Sequence, residues 1–400
     1  MGDYPARESG TFVEKHIGTV KGRSGPFLTE EHEAFRAAVR RFVDKEIDPF
    51  TAKWDEAGEF PRELYQKAAK LGILGLGFPE EFGGVPCDRW MWMIAVQELA
   101  RPGSGGVSAG LKTNSISAPP IVRGGSAALK ARVLPDLMSG KKISALAISE
   151  PSAGSDVANL KTIARREGDE YVVRGEKTFI TCGMRADYYT VAVRTGDAGS
   201  GGVSLLLIER DRPGFSRTPL KKMGWWASDT ATLHFDDVRV PVGNLLGEEN
   251  AGFKLIMKNF NDERLTIAAG CAAAARVCLE EAKSYARERH TFGKRLSEHQ
   301  VIRHKLVDMA QKVEASQAML EMLVWRLEQG ESPVAEICMC KNQATQTLAF
   351  CASEAVQIFG GAGFMRGCKV ERIYREVKVS AIGGGTEEIM KDLAARQMGL

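Results

Sequence analysis

The residues best suited to hold a ligand or move a proton fall in a few short runs. In Leu146-Ala-Ile-Ser-Glu-Pro-Ser-Ala-Gly-Ser-Asp-Val157, a strand-like start stops at Glu150-Pro151, because proline has no N–H and restricts the residue before it. The small polar residues 152–156 that follow leave a backbone that a ligand can approach closely. Glu176-Lys-Thr-Phe-Ile-Thr-Cys-Gly183 is a second strand, ending in an aromatic, Ile180 and a threonine. Asn261-Asp-Glu-Arg264 sets two carboxylates beside an arginine in a helical pattern, and on periodicity alone it is an ordinary solvated face. Arg289-His-Thr-Phe-Gly-Lys294 closes a long helix, where the planar fork of arginine can donate two hydrogen bonds to phosphate oxygens. In Gln357-Ile-Phe-Gly-Gly361 the glycines permit close backbone approach. Taken singly, each run has a plainer reading: barrel strands, a helix-end cation, a helix C-terminal turn.

Composition narrows the classes. A chain of 400 residues with 44% apolar side chains holds two or three domains with sizeable cores. A net charge of +3 is too balanced to argue for nucleic acid or an anionic membrane. No apolar run approaches the ~20 residues that span a bilayer. The eight cysteines are scattered, and Cys338-Met-Cys340 has the wrong spacing for zinc. No metal site is expected, and the thiols read as buried and free in a reducing compartment. Residues 1–26 carry mixed charges and glycines. Lacking both a secretory apolar core and an acid-free arginine pattern, they read as a mobile extension of a cytoplasmic, bacterial protein.

Three blocks must position the candidate residues. Residues 27–142 read as helices: Thr29 caps one whose stripe is Phe35, Val39, Phe42 and Val43, and Trp90 to Leu99 and Ala127 to Met138 are others. Pro61 opens a further helix, and residues 72–84 are a loop. Residues 143–247 switch to period two. Strands are expected at Tyr171-Val-Val-Arg174, at 188–193, 202–208 and 230–235, with no long helices between them, which favours an antiparallel barrel over a nicotinamide-type Rossmann domain. Gly360, Gly361 and Gly363 follow a helical pattern, not a strand, so the dinucleotide fingerprint fails on context. Residues 248–400 are helical again, with segments at about 251–290, 299–329, 334–359 and 386–398 that make a four-helix bundle. The fold class is therefore α+β: an N-terminal α-helical domain, a middle antiparallel β-barrel and a C-terminal four-helix bundle.

The runs around Ser149 and Phe179, together with Leu134-Pro-Asp-Leu-Met-Ser-Gly140, resemble the acyl-CoA dehydrogenase family over nearly the whole chain from about residue 27. The resemblance implies FAD as cofactor, an acyl-CoA substrate, a homotetramer and electrons leaving to an electron-transferring flavoprotein. It implies one flavin strip at Leu146, Ile148, Ser149, Gly154 and Ser155, with Ser155 also on the substrate side. A second strip is Phe179, Ile180 and Thr181, where many relatives carry tryptophan in place of Phe179. Arg289, Thr291, Phe292 and Gln300 would reach the flavin of a neighbouring subunit. Gln357, Ile358, Gly360 and Gly361 would meet the adenine end from another chain. Thr386, Glu387 and Glu388 look like flavin-side residues followed by a helix start.

The implied reaction removes two hydrogens from Cα and Cβ of an acyl thioester, giving the trans-2-enoyl-CoA. Many members place the base before the final helix, but there Ala381-Ile-Gly-Gly-Gly-Thr-Glu-Glu-Ile389 has Gly384. Isovaleryl- and long-chain-type members place it within Glu-Arg-Leu on a bundle helix, which makes Glu263 the candidate base, with Asp262, Arg264, Gly384 and Gly385 on the substrate side. Glu387 and Glu388 are rival carboxylates. The glycine at 384 keeps open one alternative, a flavin- or CoA-ester-binding protein without dehydrogenase activity; the other alternative is an oxidase of the same fold that passes electrons to oxygen. Trp225-Trp226 is taken as barrel core. The small-sided run 268–275 reads equally as a cavity wall or as close helix packing.

Overall fold

The computed structural model describes residues 27–400; the extension expected over 1–26 lies outside the described residues. The N-terminal part begins with α1 (Glu30–Glu46), capped by Thr29, whose side chain accepts the His32 N–H, and burying Val39 and Val43. Next come α2 (Thr51–Ala57) and α3 (Glu63–Lys70), an irregular stretch with two 3₁₀ turns, and α4 (Arg89–Ala100). Asp88 caps α4 and also meets His32 Nε2 at 2.7 Å, tying α4 to α1. Then follow α5 (Gly105–Leu111), α6 (Thr113–Ser117), α7 (Pro119–Gly124) and α8 (Ala127–Met138). The sequence reading did not anticipate α5 to α7. Each is too short for helical periodicity to register, and they are held by tertiary bonds such as Thr113 Oγ1 to the Ser144 carbonyl at 2.8 Å.

The middle part is one eight-stranded sheet of β1 (Ser144–Ala147), β2 (Ile163–Glu167), β3 (Glu170–Thr181), β4 (Tyr188–Arg194), β5 (Val203–Glu209), β6 (Phe215–Pro219), β7 (Thr230–Pro241) and β8 (Leu245–Leu246). The order is β6-β7-β3-β2-β4-β5-β8, antiparallel except that β4 pairs in parallel with β1 and, at one register position, with β2. Two expectations are corrected. The segments 171–174 and 176–181 are one strand, with Cys182 and Gly183 in the turn that follows: two irregularities opposite β7, at Val173/Gly175 and Lys177/Ile180, let β3 run through Gly175. The tryptophans are not barrel core. Both are partly exposed, and Trp226 lies under the guanidinium groups of Arg366 and Arg375, at 4.4 and 3.8 Å from its ring centre.

The C-terminal part holds α9 (Gly252–Glu288), a small hairpin of β9 (His290–Thr291) and β10 (Lys294–Arg295), α10 (Gln300–Glu328), α11 (Val334–Phe359), α12 (Lys369–Ile382) and α13 (Glu387–Gln397). Helix α12 was missed from sequence. Its outer face carries Tyr374, Val379 and Ile382, all exposed, so its apolar stripe does not stand out. Helix α11 lies at the centre and packs against α9, α10, α12 and α13. Part of the small-sided run (Ala268, Ala269, Cys271 and Ala275) is buried in the core that α9 shares with α11, so close packing accounts for that part. All eight cysteines are free, six of them buried. No helix among the described residues is long and apolar enough to cross a membrane.

Candidate functional site

The two strips expected to hold a flat ligand lie side by side. The Thr178 N–H donates to the Ser149 carbonyl at 2.8 Å, and Lys177 Nζ donates to the Ile148 carbonyl at 3.0 Å. Lys177 is fully buried, on the same inward-facing side of β3 as Tyr171 and Val173. It forms an ion pair with Glu150 Oε1 at 2.7 Å. The same carboxylate accepts the Thr162 N–H at 2.9 Å, and its other oxygen accepts the Lys161 N–H at 2.6 Å. Burial opposes the ionised carboxyl, but the lysine and the N–H donors outweigh it and hold the Glu150 pKa below the usual range. Neither partner of this clamp was singled out in the sequence. A lysine at an inward position of a strand was the available signal, since a buried charge needs a counter-charge.

One residue beyond the clamp, Phe179 has φ 61 and is 72% exposed. A bulky aromatic held at positive φ with its ring in the open is strained, and such strain clusters at ligand sites. Ile180 is buried, and Thr181 is partly exposed, with no hydrogen bond from its hydroxyl among the described residues. Leu146 and Ser149 are partly covered and Ile148 is buried, while Ser155 is exposed and nothing stands within 4 Å of where a Gly154 side chain would begin. This is an open cradle beside an aromatic face, and it fits a flavin ring.

The proposed proton-transfer residues converge between α9 and the loop before α13. Arg264 Nε donates to the Gly384 carbonyl at 3.2 Å, and Arg264 Nη1 to Asn261 Oδ1 at 2.9 Å. Gly384 has φ 66, and a side chain there would meet Ile267 Cδ1 at 2.7 Å. Ile267 is four residues after Glu263, so the two share a helix face and Gly384 lies against it. The buried Lys341 holds the loop from behind, donating to the Gly385 carbonyl at 2.6 Å. Asn342 donates to the Glu387 carbonyl at 2.9 Å, and Gln346 to Glu387 Oε2 at 3.0 Å. Thr386 caps α13, and Glu388 is exposed in its first turn. Lys341 escaped notice in the sequence, although a lysine amid the buried Ile337, Cys338 and Cys340 was a signal.

Glu263 keeps only part of its surface open, and its carboxyl has no hydrogen-bond partner among the described residues. Desolvation raises its pKa to about 7, against the opposing pull of the Arg264 and Lys341 charges. Asp262 points elsewhere: it pairs with Arg89 at 3.3 Å and Arg123 at 3.4 Å, joining α9 to the N-terminal helices. Across the loop, Gly384 and Gly385 donate no backbone hydrogen bond among the described residues, which leaves N–H groups available beside Glu263.

The remaining candidates stand at the far end of the bundle. Arg289 ends α9 and is exposed, roughly 40 Å along the helix from Glu263 at 1.5 Å per residue. Thr291 Oγ1 meets His299 Nε2 at 3.1 Å, Phe292 is 97% exposed at φ 51, and Gln300 is exposed. Tyr285 stacks on Phe359 with ring centres 4.2 Å apart, which brings the end of α11 to the same place. There Gln357 is exposed, Ile358 is buried, and Gly360 and Gly361 have open space where side chains would begin. The candidate residues therefore fall into two separate groups on one chain.

Comparison with known proteins gives one family throughout. Profiles described as acyl-CoA dehydrogenase N-terminal, middle and C-terminal domains match residues 29–141, 145–238 and 250–399. The mitochondrial long-chain specific acyl-CoA dehydrogenase of Rattus norvegicus is 37% identical over 375 residues, 93% of this chain and 87% of that one. A Mycobacterium smegmatis crystal structure assigned to acyl-CoA dehydrogenase is 44% identical with a TM-score of 0.92, covering 94% of this chain and 99% of the other. A glutaryl-CoA dehydrogenase of the same species, solved in complex with FADH2, is 28% identical with a TM-score of 0.87, covering 93% and 96%.

Proposed function

The chain belongs to the acyl-CoA dehydrogenase family, flavoproteins that use FAD to dehydrogenate acyl-CoA thioesters, and on that premise we propose that Glu263 is the base that takes the α-proton. The observation that carries this reading is the carboxyl itself: without a hydrogen-bond partner among the described residues, at a pKa of about 7, on the face of α9 that meets Gly384. A base with its pKa near ambient pH has the driving force to abstract a proton and the population to do it. The free N–H of Gly384 or Gly385 donates to the thioester carbonyl, where negative charge develops as the proton leaves. Arg264 and Lys341, each bonded to a loop carbonyl, keep that donor in place. Bound FAD supplies the acceptor for the β-hydride.

In the cradle, Phe179, Thr181, Ser149, Gly154 and Ser155 would hold the flavin ring. Arg289, Phe292, Gln300 and the 357–361 segment are too far along the bundle to serve the same ring, so they serve flavins of neighbouring chains in a homotetramer. Electrons leave to an electron-transferring flavoprotein. Two measurements test the reading. Anaerobic addition of substrate acyl-CoA to the yellow protein should bleach the flavin, and a colourless protein that cannot be reconstituted with FAD ends the proposal. Arg289→Ala should weaken both FAD retention and the oligomer, because a ligand bridging chains stabilises their association. A monomer with full flavin content would exclude shared sites.

A further inference from the structure

Lys112, the residue after α5, is wrapped by protein with only part of its surface open. Its ammonium makes no hydrogen bond and meets no carboxylate among the described residues. It lies 4.0 Å from where a Gly270 side chain would begin, and Val96 Cγ1 lies 3.9 Å from the same point. Glu263, Ile267 and Gly270 follow one another at steps of four and three on α9, and none of them is fully buried, so the lysine stands beside the stripe that leads away from the base, about 11 Å or two helical turns from it. Cys271, beside Lys112, does not neutralise it. Burial pushes that thiol up to about 11, so it stays protonated. Nor is the lysine capping α5, because the helix-end carbonyls are engaged: Gly110 accepts from the Tyr65 hydroxyl at 2.9 Å, and Ser108 accepts the Lys112 N–H.

A buried cation without a counter-charge is costly, and desolvation lowers the lysine pKa to about 8. The fully buried Lys177 shows the contrast, since Glu150 and a backbone carbonyl surround it. What Lys112 lacks is an anion, and the stripe from Glu263 supplies a direction from which one would arrive.

We propose that the preferred substrate of this site is an acyl-CoA whose chain ends in a carboxylate, received by the Lys112 ammonium. The inference rests on the dehydrogenase reading above and names its substrate class. With the thioester at Glu263 and the carboxylate at Lys112, the chain is held at both ends. A methyl-ended chain of equal length leaves the ammonium unpaired, and sites built around a polar contact strongly reject partners that lack it.

The test compares adipyl-, suberyl- and sebacyl-CoA with hexanoyl-, octanoyl- and decanoyl-CoA on the FAD-loaded enzyme. The best carboxylate-ended substrate should exceed its methyl-ended counterpart in kcat/KM by about a hundredfold or more. Lys112→Met should abolish that advantage, chiefly through KM, and improve the methyl-ended substrates. Lys112→Arg should retain the preference. Calorimetry with the matching thioether analogues, which cannot be oxidised, should show the same order of binding. A wild-type preference for methyl-ended chains, or a ratio unchanged in Lys112→Met, overturns the proposal. If no acyl-CoA bleaches the flavin, the dehydrogenase reading falls by itself. The thioether titration then still reads Lys112: tighter binding of the carboxylate-ended analogue supports the proposal, and equal binding overturns it.

Discussion

Two glutamates in this molecule have the same perturbed acidity and opposite surroundings. Burial raises both Glu263 and Glu376 to about 7. Glu376, on α12, accepts the Gly105 N–H at 2.7 Å and the Trp225 N–H at 3.1 Å, and so joins the last third of the chain to the first helices and to the β-domain. A side chain at Gly105 would meet the Trp225 indole nitrogen at 2.1 Å, so the start of α5 packs directly against Trp225 here. Among the described residues Glu263 has no such donors, and it faces a glycine loop. An elevated pKa alone therefore does not identify a base. What separates the two is whether the hydrogen-bonding capacity of the carboxylate is already occupied by the protein. The same contrast separates Lys177 from Lys112.

The strongest way to break this comparison is to neutralise each acid in turn. Glu263→Gln should lower the rate of anaerobic flavin bleaching by ~10²–10⁴-fold while FAD and acyl-CoA still bind. Glu376→Gln should leave that rate near wild type. Full activity in Glu263→Gln would pass the role to Glu387 or Glu388, and flavin loss in that variant would make Glu263 structural. Next in size is truncation at the junction. Glu376→Ala leaves two N–H groups without their acceptor, at about 1–3 kcal/mol each where they stay dry. Its denaturant midpoint should fall well below that of Glu263→Ala, and equal losses would erase the distinction drawn between the two sites.

A pH titration sharpens the comparison further. Each acid has a folded pKa of about 7 against an ordinary 4.5. Between those values the unfolded chain is already ionised while the folded chain still holds the protons. Unfolding then releases protons, and stability falls as pH rises from about 4.5 to 7. The loss is at most about 3 kcal/mol per group. Each Glu→Gln variant should flatten part of that decline in urea unfolding curves taken across the window. The kcat/KM profile moves the other way, rising as the base ionises through about pH 7, and only Glu263→Gln should remove that rise. A profile flat through neutral pH would sever the link between this acid and proton abstraction.

The smallest expected effect is a rescue. Gly384→Glu in the Glu263→Gln background sets a second carboxylate against the same face of α9. A small fraction of activity should return, limited by the positive φ at 384 and by Ile267, whose Cδ1 must move from 2.7 Å. No return in a variant that still binds flavin would mean that the two positions do not address the same carbon.

Much of the architecture was legible because its signals are local. Thr29 capping α1, the short, largely apolar runs of β4 and β5, and the long stripe of α10 each need only neighbouring residues to be read. Tertiary contacts joined what the sequence separated: strands were expected on either side of Gly175, yet it lies inside β3 with Thr162 atoms at 2.7 Å from where a side chain would begin. The short helices α5 to α7 and the half-exposed α12 carry too little periodicity to stand out.

At the candidate site the division follows the same line. Glu263, Phe179, Arg289 and the loop at Gly384 were nominated by the resemblance of their motifs to one family, since motif order is a property of the chain, whereas periodicity alone read the run around Glu263 as a solvated helix face. That, among the described residues, Glu263 is left without a partner while Glu376 is satisfied, that Lys177 is paired and Lys112 is not, and that Asp262 turns to Arg89 and Arg123 depend on which segments fold against each other. The partners lie up to hundreds of residues apart in sequence, as with Gly105 and Glu376. Desolvation is set by everything packed around a group rather than by its neighbours in the chain, so the acidity of Glu263 and the unmet charge of Lys112 exist only in the folded protein.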